Sequence, residues 1–118
     1  MSKVHSEALA RRLAELADSK KAEDIVVLDM RGLVAYTDFL AICTARNDRQ
    51  ARAIVDEVRV QLKRETGLLP GGVDGEGEAG WIILDYLDCV LHVFTKEARD
   101  RYQLEDLWRD APRLELDL

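Results

Sequence analysis

Hydrophobic positions along this chain change period several times. From Val4 to Ala17 they fall at Leu9, Leu13, Leu16 and Ala17. That spacing puts them on one face of a helix, and Ser19-Lys20-Lys21 ends the pattern. Between Asp24 and Arg31 the run IVVLDM is continuous and rich in β-branched residues. It predicts a strand covered on both faces, broken by Gly32. Thr37 to Arg46, TDFLAICTAR, predicts a second strand of the same kind. Helical spacing then returns at Ala51, Ile54, Val55, Val58 and Leu62 and runs to about Thr66. Asn47 stands where an N-cap belongs, and Gln50 is placed to reach back to it, a capping-box arrangement. Gly67 suits the left-handed residue that closes a helix.

The stretch Gly80 to Phe94, GWIILDYLDCVLHVF, predicts two strands joined at Leu87-Asp88. A two-residue turn sets Tyr86 opposite Cys89, Asp85 opposite Val90, Leu84 opposite Leu91, Ile83 opposite His92, Ile82 opposite Val93 and Trp81 opposite Phe94. Opposed side chains share a face. One face is then Ile82, Leu84, Tyr86, Cys89, Leu91 and Val93, which reads as core. The other is Trp81, Ile83, Asp85, Val90, His92 and Phe94, apolar but bearing a carboxylate, an imidazole and an indole. A slip by one residue would mix the two sets, so their segregation supports the register. Before the hairpin, GGVDGEGEAG reads as a flexible acidic loop. After it, Thr95 is placed to cap a short helix from Lys96 to about Tyr102. Leu104, Leu107 and Trp108 give a further helical turn, Pro112 ends it, and the alternating tail LELDL suggests a short edge strand. The order α-β-β-α-β-β-α predicts an α/β (α+β) fold: one domain over residues 1–118, a mixed sheet of four to five strands, and helices mainly on one face. The second hairpin face is expected to stay open.

The length of 118 residues fits one domain with a real core. With 47% hydrophobic and 34% charged residues the composition is that of an ordinary globular chain. No apolar run approaches the roughly 18 residues of a membrane span, and the polar, helical N-terminal stretch lacks a secretory core. Cys43 and Cys89 lie in apolar strand runs, as reduced core cysteines do, so a cytoplasmic location is expected. A net charge of −6 disfavours nucleic-acid binding as the main activity. It suits a basic protein partner, since opposite potentials speed encounter.

The candidate chemistry is sparse. Gly75 to Gly80 spells G-x-G-x-x-G, but it follows a helix end and precedes a strand, and its two glutamates would repel phosphate. It therefore reads as a loop and not as a dinucleotide site. Cys89 faces away from His92 and cannot be its nucleophile, and Asp85 with His92 alone is no mechanism. The only histidines are His5 and His92, too few for a typical metal site. Asp88 reads as turn chemistry. No catalytic, metal or cofactor residue is assigned. Trp81 stands equally as a half-buried sheet aromatic or as an interface anchor.

Five segments in order carry a likeness: DIVVLDM, TDFLAICTARNDRQARAI, GGVDGEGEAGW, WIILDYLDCVLHVF and RDRYQLEDLWRDAP. Together they resemble the bacterial ribosomal silencing factor family, the RsfS or Iojap-like proteins, from about Asp24 to Pro112. The resemblance implies a nucleotidyltransferase-like topology without catalytic residues. It implies a non-enzymatic repressor that binds a basic large-subunit ribosomal protein on the intersubunit face, blocks joining of the small subunit, and lowers translation when nutrients are scarce. It implies no cofactor, no membrane and little direct nucleic-acid contact. Carried over residue by residue, the partner-binding set is Trp81, Ile83, Asp85, Leu87, Val90, His92, Tyr102 and Glu105, with Trp108 in the same stretch. Leu87 stands where the family usually has glycine, and Cys89 where valine is usual. A Trp81→Ala chain is expected to fold and to lose its partner. A nucleotide-binding protein and a homodimeric interaction module are the alternatives.

Overall fold

A computed structural model describes residues 3–75 and 80–118. The elements run α1 (Lys3–Ser19), β1 (Glu23–Asp29), β2 (Phe39–Ala45), α2 (Asp48–Thr66), β3 (Gly72–Asp74), β4 (Trp81–Asp85), β5 (Cys89–Thr95), α3 (Lys96–Tyr102) and α4 (Leu104–Leu107). The sheet order is β1-β2-β5-β4-β3. β2 and β5 are parallel at its centre, and every other pairing is antiparallel. This is the expected mixed α+β sheet.

Local chemistry explains the long helices. Asn47 Oδ1 accepts from Gln50 N–H at 2.8 Å, and Gln50 Oε1 accepts from Arg46 N–H at 2.6 Å. The reciprocal cap thus forms one residue earlier than the capping box places it. Gly67 closes α2 with φ +73°, its N–H donating to Lys63 O at 2.9 Å. The buried face of α2 is Ala51, Ile54, Val55, Val58 and Leu62, as the periodicity predicts. α1 and α2 pack on one face of the sheet against Ile82, Leu84, Tyr86, Cys89, Leu91 and Val93. The two cysteines are reduced and buried.

The β4–β5 register matches the sequence reading pair for pair, from Trp81 opposite Phe94 to Asp85 opposite Val90. Tyr86 N–H closes the turn on Cys89 O at 2.9 Å. Leu87 takes φ +69°, where a side chain costs about 1–2 kcal/mol. Asp85 Oδ1 holds it there by accepting from Leu87 N–H at 2.7 Å. The Leu87 side chain is 68% exposed, so little burial offsets the strain. Leu87→Gly is therefore expected to stabilise the fold by roughly 0.5–1 kcal/mol, strain relief less the entropy glycine loses. Urea denaturation measures it, and an unchanged midpoint would contradict the strain.

Four expectations are corrected. β1 is an edge strand, exposed at Glu23 and Asp24, and its core-facing residues are concentrated in its second half. It is not covered on both faces along its length. The tail forms one bridge, Leu28 with Arg113, and Leu114 N–H donates to Val27 O at 2.9 Å, so it lines the β1 edge without becoming a strand. Gly72–Asp74, read as loop, forms β3 against β4. Gly72 and Asp74 give no strand signal; pairing with β4 makes the strand. Residues 76–79, and with them most of the literal glycine motif, lie outside the described residues.

The fourth correction concerns the second sheet face, which is not open. Leu28, Leu40, Ile42, Val90 and Phe94 form a second buried layer. Met30, Val34, Ala98, Leu104, Trp108 and Ala111 pack over or beside it. Short helices and two connecting segments thus cover what two long helices leave bare.

Candidate functional site

Trp81 begins β4 beside Phe94 near the end of β5, so the two rings meet across the strand pair. They stack at 4.8 Å between centroids, 30° apart. Tyr102, the last residue of α3, brings its ring to 4.7 Å from Trp81 and 6.3 Å from Phe94, so the three rings form a triangle. Trp81 Nε1–H donates to His92 Nδ1 at 3.1 Å. Phe94 is wholly buried while Tyr102 is 47% exposed. The cluster therefore has a buried base and an open edge made by Trp81 and Tyr102, with Ile83 next along β4. Aromatic pairs of this kind add about 0.5–1.5 kcal/mol each beyond burial.

His92 is 8% exposed. Burial pushes its imidazole down to about 4, partly offset by the Asp85 carboxylate, which draws it up. The acceptor role of Nδ1 fixes the neutral ring with its proton on Nε2. Protonation would set one donor against another at Trp81. Because the folded value lies below the unfolded one of about 6.5, the unfolded chain binds the proton first as pH falls. Stability from this group is complete above about pH 6.5 and is lost on the way down to about pH 4. Between pH 7 and pH 5 the loss should be about 2 kcal/mol. His92→Gln should flatten that part of the stability profile, read by denaturation at each pH. An equally steep profile in the variant would place the titration elsewhere.

Asp85 and Leu87 lie toward the far end of the hairpin, roughly 13 and 20 Å from Trp81 along the strand at ~3.3 Å per residue. The Asp85 carboxylate is engaged by the turn. Val90, also 8% exposed, is a layer residue beneath the surface, as is His92. Glu105 lies elsewhere and faces inward. Its two oxygens accept from Arg99 Nε at 3.2 Å and Nη2 at 2.7 Å. Arg99 Nη1 also donates to Thr44 Oγ1 at 2.8 Å and to Asp24 O. The guanidinium holds the Glu105 carboxyl below the usual carboxylate range.

Of the eight residues singled out in the sequence, the fold gathers Trp81, Ile83 and Tyr102 into one exposed edge over His92. Val90 lies in the layer below, Asp85 and Leu87 are at the turn, and Glu105 is in an ion pair. The reading of one flat face missed the base that Phe94 provides and the hub role of Arg99. The Arg99 partners Thr44 and Asp24 are 55 and 75 residues away, so no local pattern could show them. It also missed Leu33, Tyr36 and Leu107, exposed apolar residues on the segments that cover the second layer. Among the described residues no helix is long and apolar enough to cross a membrane.

Comparison with known proteins places this geometry. The sequence matches the family described as "ribosomal silencing factor during starvation" over residues 3–118. It is 39% identical over 114 residues to the ribosomal silencing factor of Bacillus subtilis, covering 97% of this chain and 96% of that one. It is 37% identical over 113 residues to the chloroplastic Iojap protein of Arabidopsis thaliana, covering 96% of this chain and 47% of that one. A crystal structure from Chromobacterium violaceum superposes with a TM-score of 0.81 at 28% identity, covering 100% of this chain and 94% of that one. One from Bacillus halodurans gives 0.75 at 38% identity, covering 89% and 95%.

Proposed function

The chain belongs to the ribosomal silencing factor family, and from that membership we propose that it is a non-enzymatic repressor of translation acting on the large ribosomal subunit in the cytoplasm. It binds a basic large-subunit protein on the intersubunit face, and its bulk then excludes the small subunit when nutrients are limiting. The observation that carries this reading is the full-length family match. The half-exposed aromatic edge supports it, because an apolar rim over a rigid base is what a protein partner can desolvate.

In this reading Trp81, Ile83 and Tyr102 are the central contacts, and Leu87 extends the contact at the turn. His92 and Val90 hold the rings from below. Glu105 acts through Arg99 by fixing the segment that follows Tyr102. Burying ~400 Å² of apolar surface would contribute on the order of 10 kcal/mol before association costs. The chain's net charge of −6 favours a basic partner.

Sedimentation with isolated large subunits, isolated small subunits and assembled ribosomes, at two salt concentrations, tests it. Expected is binding to free large subunits alone, with less subunit joining. Binding to small subunits, or to no particle, would overturn it. The same apolar edge could seat a second copy of the chain. Light scattering of wild type beside Tyr102→Ala reads that alternative: a dimer abolished by the change would support it.

A further inference from the structure

We propose that the crevice beyond the ends of β2 and β5 binds a small phosphate-bearing anion of the size of a nucleoside di- or triphosphate. The two strands run parallel and end together, with Ala45 opposite Thr95. From there the chain separates. β2 leads into α2, whose buried face packs in the first core layer, and β5 leads into α3, whose Ala98 packs in the second. Neighbouring parallel strands whose helices leave to opposite faces open a crevice past their carboxyl ends, the usual ligand position in open α/β sheets. A crevice of about 490 Å³ lies there, within the range of small-molecule sites.

Its walls bring together Arg46 from one strand end with Lys96 and Arg101 from the other. The acids on the same walls are Asp48 and Glu97. Among the described residues the lining carries three positive and two negative charges, net +1, in a chain of net −6. Among the described residues none of the three cations is held in an ion pair. Asn47 uses its oxygen on α2, which leaves its amide NH2 group as a further donor. Two guanidinium forks and an ammonium suit the oxygens of a di- or triphosphate. Among the described residues no aromatic side chain lines the crevice to stack a base. Recognition therefore falls on the phosphates. Positions 46, 96 and 101 are separated in sequence by α2 and the hairpin, and the parallel pairing of β2 with β5 brings them to one place.

This inference does not rest on the aromatic edge, so its outcome is independent of ribosome binding. Calorimetric titration of the full chain with pyrophosphate, ATP, GTP and adenosine tests it. Expected is saturable one-to-one binding of the three phosphates below about 1 mM, and none of adenosine. Arg46→Ala with Arg101→Ala should weaken it at least about tenfold, with circular dichroism and large-subunit sedimentation unchanged. Absence of saturation in the wild type, or wild-type affinity in the double variant, would overturn the proposal. A short oligoribonucleotide is the control for the phosphate source. If it binds through Arg46 and Arg101 while pyrophosphate does not, the crevice is a nucleic-acid contact and the proposal fails.

Discussion

Replacing Trp81 by alanine is expected to remove about 3 kcal/mol of stability as well as the central contact for the partner. The sequence alone suggests a folded chain that merely fails to bind. The structure adds an expected stability cost, because the indole packs against the second core layer as well as forming its edge. It stacks on Phe94 at 4.8 Å, touches Tyr102 at 4.7 Å and gives the buried His92 its hydrogen bond at 3.1 Å. Truncating a large aromatic leaves a void and costs about 3–5 kcal/mol when fully buried. Partial exposure puts Trp81 at the lower end. The alanine variant also leaves His92 Nδ1 without its donor. A loss of binding in Trp81→Ala is therefore ambiguous until denaturation shows how much of the chain is folded at the assay temperature. Trp81→Phe keeps an aromatic ring on the stack but removes the N–H and one of the two fused rings, and should cost about 1–2 kcal/mol. Tyr102→Ala, at a half-exposed position, should leave stability within about 1 kcal/mol and weaken large-subunit binding by at least about tenfold. Wild-type sedimentation by Tyr102→Ala would remove this edge from the proposed interface.

Glu105→Ala is expected to cost about 3 kcal/mol. The Arg99 and Glu105 side chains are 11% and 19% exposed, and their forked bond is the main neutralisation of a nearly buried guanidinium. Removing the acid leaves that charge with only Thr44 and the Asp24 carbonyl, and uncompensated buried charge is the costly outcome. Replacing both partners, Arg99→Met with Glu105→Leu, should recover much of the loss, since apolar residues of similar volume can substitute for a buried pair. Urea denaturation of the two singles and the double separates these terms. If Glu105 were instead an outward contact for a basic partner, the single variant would lower ribosome binding with stability unchanged. That result would overturn the structural role.

The hairpin shows how far sequence reaches. Its register depends on side-chain alternation and a two-residue turn, both local, and a slip would put polar and apolar residues on the wrong faces. Every predicted pair from Trp81–Phe94 to Asp85–Val90 is present. α2 was legible for the same reason: period, cap and terminating glycine all lie within one continuous stretch. The candidate site was legible in part. Its residue types were in view, but three of the eight come together at the exposed edge. The other five are held elsewhere: Val90 and His92 by the covering layer, Asp85 and Leu87 by the turn they form, Glu105 by Arg99.

What the sequence by itself determined is therefore periodicity and its ends: two long amphipathic helices, the two strands between them and a hairpin with two distinct faces. Solvent-driven segregation along a single element depends only on that element's residues. Tertiary structure decided what covers each face and what stands at each edge. The second edge strand, Gly72–Asp74, formed because β4 offered unpaired backbone groups. Short helices and connecting segments closed the second layer because Phe94, Ile42 and Val90 are too apolar to face water. The parallel meeting of β2 with β5 set cations from positions 46, 96 and 101 around one crevice. Each of these depends on residues far apart in the chain, whose proximity exists only after the sheet has formed.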